Sequence, residues 1–190
     1  PAWNRAMPKG GGPLAAPRPL AGNPRKVVYF PSCISRNMGP GKEHEDTRTE
    51  PQVMLSLLHK AGYDVIIPAG VEGLCCGMAF ASKGFTDEAT TCENTLSRVL
   101  LEASHNGEYP VVSETSPCLQ HMRETLDSRL TLYEPISFIL DVLRDRLDFV
   151  VLPKTVAVHV TCSARKMGLA GKLPTLAALC AATVVTPVDT

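Results

Sequence analysis

The sequence predicts an α/β fold with a mainly parallel sheet flanked by helices. The first observation is that short apolar runs alternate along the chain with longer stretches whose apolar residues recur at helical spacing. Because neighbouring parallel strands need a crossover connection, this alternation favours parallel pairing. The second observation is size: 190 residues, 44% of them hydrophobic, suffice for one globular domain or for one and part of another.

Four apolar runs have the length and residue types of buried strands. They are "KVVYFPS" (26–32), "YDVIIPAG" (63–70), "YPVVSE" (109–114) and "TVAVHVTC" (155–162). The stretch "LTLYEPISF" (130–138) adds a strand-like piece. Towards the C-terminus, "LAALCAATVVTP" (176–187) combines the end of a helix with a further strand.

The first long helix is predicted over residues 49–62. Thr49 is placed as the N-cap, Pro51 lies at an early helical position and Gln52 completes a capping box. Gly62 ends the helix, because glycine is favoured directly after a helix C-terminus.

Three more helices are predicted at 86–105, 116–126 and 137–147. In the first of these, apolar residues at helical spacing form one face: Ala89, Cys92, Leu96, Val99, Leu100 and Ala103. The second opens with a Ser-Pro helix start and has Cys118 in its first turn.

Three regions are predicted: residues 1–25 as a linker from a preceding domain, 26–150 as a first unit and 151–190 as the opening of a second, truncated unit. The linker assignment follows from composition. Residues 1–24 hold six of the 16 prolines and a Gly-Gly-Gly run, without helical or strand periodicity.

An internal repeat supports the two units. The stretches "VVYFPSCISRNMG" (27–39) and "VAVHVTCSARKMG" (156–168) share Val, Cys, Arg, Met and Gly at matching positions. The stretch "LLHKAGYDVIIP" (57–68) likewise matches "LAALCAATVVTP" (176–187), so Pro187 corresponds to Pro68. Cys75 follows Pro68 by seven residues, whereas the sequence ends three residues after Pro187. We therefore expect the chain to stop before the second unit's own cysteine pair. A chance resemblance of two strand–helix segments is the alternative.

Charge and hydropathy exclude several functions. Lys plus Arg equals Asp plus Glu at 19 each, so no basic surface indicates a nucleic-acid partner. No apolar run approaches the roughly 18 residues that cross a bilayer, and the N-terminal "PAWNRAMPKGGGPL" lacks the apolar core of a signal peptide. A dinucleotide-binding domain is disfavoured because no G-x-G-x-x-G follows the first strand. We expect a cytoplasmic protein.

Four of the seven cysteines each follow a predicted strand closely: Cys33, Cys75, Cys76 and Cys118. The carboxyl ends of parallel strands meet at one edge of a sheet, so we expect these thiols to gather there, where doubly wound sheets bind ligands. Without an export signal, such thiols are more often metal ligands or redox groups than structural disulfides.

Three kinds of chemistry remain open for these thiols. Four thiolates can hold an iron–sulfur cluster or a zinc ion. The adjacent Cys75 and Cys76 point their side chains apart, so they suit different irons of one cluster better than one metal ion. Gly77 lets the backbone pass close to the cofactor. The third possibility is thiol–disulfide exchange, in which the strained vicinal disulfide would be labile.

Further observations concern Cys118, the other cysteines and the histidines. Cys118 lies near a helix N-terminus, which lowers the pKa of a thiol. His121 follows three residues later and is a candidate fifth ligand or proton carrier, with an ordinary surface histidine as the alternative. Cys162 matches Cys33 and is a candidate ligand of the second unit. Packing is the predicted role of Cys92 and Cys180, and no role is predicted for His44 and His59.

The order Cys33, Cys75-Cys76-Gly77, Cys118 resembles the CCG or cysteine-rich domain family, whose motif is C, CCG and then C-x-x-C, generally in two copies. The resemblance covers roughly residues 26–190. Domains of this family are found in heterodisulfide reductase subunits, in the iron–sulfur subunit of glycolate oxidase, in lactate-utilisation proteins and in FAD-linked D-lactate dehydrogenases.

The stretch "VVYFPSCISRNMGP", preceded by a linker with Trp and Met-Pro, looks most like the FAD-dependent D-lactate dehydrogenases. This resemblance implies a parent protein that oxidises D-lactate to pyruvate at FAD. Electrons would then pass through iron–sulfur centres to a membrane quinone or cytochrome. The implied partners are the FAD-binding and ferredoxin-like regions of the same parent, and the implied location includes the cytoplasmic face of the membrane. FAD belongs to the parent and not to these residues.

The chain departs from the family motif at one position. His121 stands where the second cysteine of C-x-x-C is expected. A cluster that needs the full cysteine set is therefore in doubt for the first unit. A conventional 4Fe–4S cluster or a zinc ion needs four ligands, which Cys33, Cys75, Cys76 and Cys118 can provide, with His121 in reserve.

Overall fold

The central sheet has four parallel strands in the order β2-β1-β3-β4. They are β1 (Arg25–Tyr29), β2 (Tyr63–Ile66), β3 (Val111–Val112) and β4 (Leu132–Tyr133). The mainly parallel sheet confirms the predicted α/β class. Since β1 lies between β2 and β3, the chain leaves β1 towards one side of the sheet and later crosses to the other. The carboxyl ends of β1 and β3 thus flank a topological switch point, where such sheets place ligand sites.

The computed structural model describes residues 8, 10–22, 24–41 and 46–186. Several predictions from the sequence lie outside these residues: the first seven residues of the linker, His44 and Pro187 with the three residues after it. None of the helices in the described ranges is long and apolar enough to cross a membrane.

Helices surround the sheet. Those of the first unit are α1 (Cys33–Asn37), α2 (Glu50–Lys60), α3 (Met78–Ala81), α4 (Thr86–Ala103), α5 (Ser116–Thr125) and α6 (Pro135–Phe138). The predicted helix at 137–147 is instead α6 continued by a π-helical turn (Ile139–Leu143) and a 3₁₀ turn (Arg144–Arg146). The predicted strand at 109–114 is paired only over β3.

Alternation along the strands builds two cores, one on each face of the sheet. Val28 and Phe30 face one side, where they pack with residues of α4 and α5. Val27 and Tyr29 face the other side, with residues of α2 and α6. Cys76 belongs to the first of these cores, so the cysteine pair lies on the α4 and α5 side.

The local signals for α2 are confirmed. The Thr49 side chain accepts a hydrogen bond from the Gln52 backbone N–H, and the Gln52 side chain accepts one from the Thr49 N–H. Two otherwise unpaired donors at the helix start are thereby satisfied. Gly62 has φ +84°, the left-handed conformation expected after a helix C-terminus.

The second unit repeats the opening of the first. Its elements are β5 (Leu152–Ala157), α7 (Cys162–Lys166), α8 (Lys172–Cys180) and β6 (Ala181–Val185), with β5 parallel to β6. The order β5-α7-α8-β6 matches β1-α1-α2-β2. Ser32 and Thr161 are equivalent N-caps, each accepting a hydrogen bond from a backbone N–H three residues later. The element order and parallel pairing of 152–185 thus match those of 25–66, while the division into two units of one family stays a prediction.

Residues 10–22 form no helix or strand beyond one isolated bridge, Gly10 to Met38. They nevertheless lie against the domain. The Gly11 N–H donates to the Asn37 carbonyl oxygen at 3.0 Å, and Leu14 packs against both cores. The boundary between linker and first unit stays a prediction.

Candidate metal centre

Three neighbouring strands position the predicted thiols. Cys33 begins α1, four residues beyond the end of β1, and Cys118 lies in the first turn of α5, after β3. Cys75 and Cys76 lie in the loop between β2 and α3. All four follow strand carboxyl ends, at the switch point of the sheet. We call Cys33, Cys75, Cys76 and Cys118 the thiol cluster.

The Cys76 and Cys118 thiols lie close together and interact as hydrogen-bonding partners. This interaction lowers the pKa of Cys118 below its ordinary value, because it stabilises the Cys118 thiolate. The same interaction, together with burial, raises the pKa of Cys76. Cys76 is only 5% exposed, whereas Cys118 is half-buried. Cys76 and Cys118 are therefore interacting neighbours at the inner side of the site.

The other two members lie further out. The half-buried Cys75 Sγ accepts a hydrogen bond from the Gly77 N–H at 3.4 Å. Cys33 is exposed, and the negative charge of its thiolate raises the pKa of Cys118. Cys75 has the same effect on Cys118. The thiol cluster therefore runs from the buried Cys76 to the surface at Cys33.

Gly77 is required by the backbone path. Its φ is +86°, and a Cβ atom at this position would lie 2.9 Å from the Ala89 carbonyl oxygen and 3.2 Å from Glu93 Cγ. Such a distance to a backbone atom is too short for any side chain. The glycine thus allows the cysteine pair to lie directly against α4, as the motif predicts for a close backbone approach.

Cys92 is a site neighbour that the sequence analysis missed. We predicted packing for Cys92 and Cys180, but both are half-buried and neither belongs to the buried cores described above. Burial raises the pKa of the Cys92 thiol, and so does its interaction with the nearby Cys75 thiol. One feature of the sequence pointed to this neighbourhood: Cys92 lies on the same predicted apolar face of α4 as Ala89.

His121 is held by a carboxylate. Its Nε2 lies 2.8 Å from Glu93 Oε1, which joins α5 to α4. The two side chains are 15% and 16% exposed, so His121 is not an ordinary surface histidine. The role of His121 as a metal ligand or a proton carrier stays a prediction.

Arg36 closes one wall of the site. Its guanidinium donates to the Leu74 carbonyl oxygen at 2.5 Å, which ties α1 to the loop before the cysteine pair. Arg36, Cys33 and Cys75 line a cavity of about 400 Å³, with residues 12–14 on another side. The positive charge favours thiolates nearby. The internal repeat matches Arg36 with Arg165, and this match was the feature of the sequence that pointed to a role for Arg36 at the site.

A half-buried acid lies near Cys118. Glu114 Oε1 accepts the Ser32 N–H at 3.2 Å, while Oε2 is buried and has no hydrogen-bond partner among the described residues. Burial raises the pKa of Glu114 to about 7. Its negative charge in turn raises the pKa of Cys118. Glu114 was also missed by the sequence analysis.

Cys162 lies apart from the thiol cluster. It is exposed and lines a second cavity of about 400 Å³ between α5 and α7, together with Met78 and His121. A contact of 2.7 Å between the Ser116 and Ser163 hydroxyls joins the two helices beside it. Its predicted role as a ligand of the second unit stays a prediction.

Within the described residues, no three His, Cys, Asp or Glu side chains converge as the ligands of a single metal ion would. Cys118 interacts with Cys76, Cys33 and Cys75, so the four thiols share one neighbourhood, and Cys33 is the exposed member. A multinuclear cluster spreads its ligands over several metal atoms, and an all-sulfur donor set is the type that iron–sulfur clusters use. The thiol cluster fits that donor chemistry.

Comparison with known proteins identifies the family. No curated protein and no solved structure matches the chain. The family model of the cysteine-rich domain, CCG, matches residues 27–123, just over half of the 190 residues. The match includes the thiol cluster, Gly77 and His121. The chain therefore belongs to the CCG cysteine-rich domain family.

Proposed function

We propose that the thiol cluster holds an iron–sulfur cluster of the 4Fe–4S type and that the domain transfers electrons for an oxidoreductase. The observation that supports this most strongly is the contact between Cys76 and Cys118 at the sheet switch point. Two thiols from distant parts of the chain meet there, with Cys75 and Cys33 beside them. A site of sulfur donors alone favours soft metals and iron–sulfur centres.

The protein side chains have distinct tasks in this proposal. Cys33, Cys75, Cys76 and Cys118 are the ligands, with His121 as a further candidate. A bound cluster would supply reversible one-electron chemistry. The Gly77 N–H, which donates to Cys75 Sγ, tunes the reduction potential, since hydrogen bonds to ligand sulfurs are one of its determinants.

Burial and charge around the ligands support the same role. Cys76 lies in a core with Leu119 and Met122, which keeps water from the inner side of the site. The Arg36 guanidinium offsets the negative charge of the thiolates on the outer side. The exposed Cys33 lies where electrons would enter or leave through a docked partner.

We further propose that this domain serves an FAD-dependent 2-hydroxy-acid dehydrogenase, with D-lactate as the substrate and a membrane quinone or cytochrome as the acceptor. The support is the CCG family membership together with the resemblance of the "VVYFPSCISRNMGP" stretch to FAD-linked D-lactate dehydrogenases. The FAD-binding and ferredoxin-like regions of the parent would be the direct partners.

The experiment is anaerobic purification followed by iron, acid-labile sulfide and zinc analysis and a visible spectrum. We expect iron with sulfide and a brown protein. Cys76→Ser should lose most of the iron, whereas Cys180→Ser should retain it, because Cys180 ends α8 away from the thiol cluster. Stoichiometric zinc without iron would instead make the domain a structural or docking module. Equal iron in both variants would refute the ligand assignment.

The substrate is tested in the parent protein. Anaerobic addition of D-lactate is expected to bleach the visible absorption of the cluster, and Cys76→Ser is expected to abolish that component. Bleaching by glycolate but not by D-lactate would point to a glycolate oxidase instead.

A further inference from the structure

We propose that Cys92 is an additional sulfur ligand of this metal centre, contributed by a helix and not by a loop that follows a strand. The inference rests on the proposed function, because it adds a ligand to the same cluster. Neither the strand-end pattern nor the spacing of the other cysteines points to it. The inference comes instead from contacts between α4 and residues 74–77, the loop that carries Cys75 and Cys76, which we call the cysteine loop.

The first step is the position of Cys92 on α4. A Cβ at Gly77 would meet the Ala89 carbonyl oxygen at 2.9 Å and Glu93 Cγ at 3.2 Å, so the cysteine loop lies against this stretch of the helix. Residues three and four apart share a helix face. Cys92 therefore projects from the part of α4 that the loop touches.

The second step is the contact between sulfurs. Adjacent side chains in an irregular segment point in different directions, so Cys75 and Cys76 need different neighbours. The Cys76 thiol contacts that of Cys118 on α5. The Cys75 thiol lies near enough to that of Cys92 on α4 for the two to interact, and the charge of Cys76 also reaches Cys92. Each sulfur of the pair thus has one partner from a different helix.

The third step is that packing does not account for Cys92. On the same helix, Leu96 and Leu100 are fully buried and complete the apolar face. Cys92 is half-buried and lies one turn nearer the helix start, beside the carboxylate that holds His121. A thiol at this edge can reach a cofactor bound by Cys75 without disturbing the core.

The test uses the protein loaded anaerobically with ferrous iron and sulfide. Its cysteines are alkylated with iodoacetamide before and after removal of iron by a chelator, and the labelled peptides are mapped by mass spectrometry. We expect Cys92 to be protected in the loaded protein and to react once iron is removed. Cys180, which is also half-buried, serves as the control and should react equally in both states.

Variants give an independent readout. Cys92→Ser should release iron to the chelator about tenfold faster or more, since even indirect partners of metal ligands contribute that much to affinity. Cys180→Ser should match the wild type. If Cys92→Ser does not fold by circular dichroism, Cys92→Ala replaces it, and the alkylation result in the wild type is decisive.

The outcomes separate the two proposals. Loaded protein in which Cys92 is alkylated as fast as after iron removal would overturn the inference while leaving the proposed function intact. Iron retention by Cys92→Ser equal to that of Cys180→Ser would do the same. Failure of the wild type to take up iron at all would overturn both.

Discussion

Glu93 Oε1 lies 2.8 Å from His121 Nε2, and this contact joins α4 to α5 at the edge of the thiol cluster. An ionised carboxylate only accepts hydrogen bonds, so Nε2 must carry the proton. In the neutral ring, Nδ1 is then the nitrogen left to accept a proton or bind a metal. Carboxylates often fix the tautomer of a histidine near a metal in this way.

The first prediction concerns this tautomer. In a long-range ¹H–¹⁵N spectrum of the apo-protein above pH 8, His121 is expected in the form protonated at Nε2. Glu93→Gln should weaken this preference, because the glutamine side chain can donate as well as accept. His105 offers an internal contrast, since its Nδ1 faces Glu108 Oε2 at 2.6 Å. Protonation of His121 at Nδ1 in the wild type would contradict the geometry.

The second prediction concerns Gly77→Ala. The methyl group would lie 2.9 Å from a backbone oxygen, in addition to the strain of a positive φ. We expect a loss of about 2–3 kcal/mol in the free energy of unfolding, at the upper end of the cost of a strained backbone position. Urea denaturation measures it.

Gly70→Ala is the matched control for this loss. Gly70 has φ +66°, but nothing lies within 4 Å of a Cβ there, so only the backbone strain of about 1 kcal/mol remains. Equal losses in the two variants would show that contact with α4 does not constrain Gly77.

The third prediction concerns pH. Burial raises the pKa of Glu114 from its ordinary 4.5 to about 7 in the folded protein. The stabilisation associated with this raised pKa is complete below pH 4.5 and is lost as pH rises towards and past 7. A shift of this size corresponds to about 3 kcal/mol of unfolding free energy at most.

Glu114→Gln should remove this dependence. We expect the free energy of unfolding of the variant, relative to that of the wild type, to be higher at pH 8 than at pH 5. Urea denaturation at both pH values measures this difference. Glu102→Gln, on the exposed face of α4, is the control and should leave the pH dependence unchanged. If the wild type and Glu114→Gln differ by the same amount at both pH values, Glu114 does not titrate in this range.

The fourth prediction concerns the second unit. Val150 and Val151 are 71% and 59% exposed, and all residues of β5 are exposed. Apolar side chains beside an exposed strand edge favour association. We expect concentration-dependent self-association in sedimentation velocity, weakened by Val151→Lys. Val53→Lys, at an exposed position of α2, is the control. A single monomeric species at all concentrations would contradict this expectation.

Much of the site was predictable from the order of strands. The α/β class, the capping of α2 and the place of Cys118 in the first turn of α5 follow from local patterns, and the structure confirms them. That Cys76 meets Cys118 follows from the rule that parallel strands end at one edge. The role of these thiols as ligands stays a prediction.

Other parts of the fold and of the site were not predictable in this way. The predicted helix at 137–147 breaks into a π-helical and a 3₁₀ turn, and the strand around β3 shortens to two residues. Periodicity gives the type of an element, but its ends depend on the pairing and packing partners that it meets. Cys92 was assigned to packing because the apolar spacing of a helix face is the same whether a core or a loop covers it.

The parallel α/β class and the set of cysteines that follow strands can be read from the amino-acid order, because each rests on periodicity or on spacing along the chain. Which side chains adjoin that set depends on the folded arrangement of the chain. Glu93 and Cys92 reach it because Gly77 brings the cysteine loop against α4. Such contacts between distant segments depend on how a loop crosses a helix, and local sequence preference carries no information about that crossing.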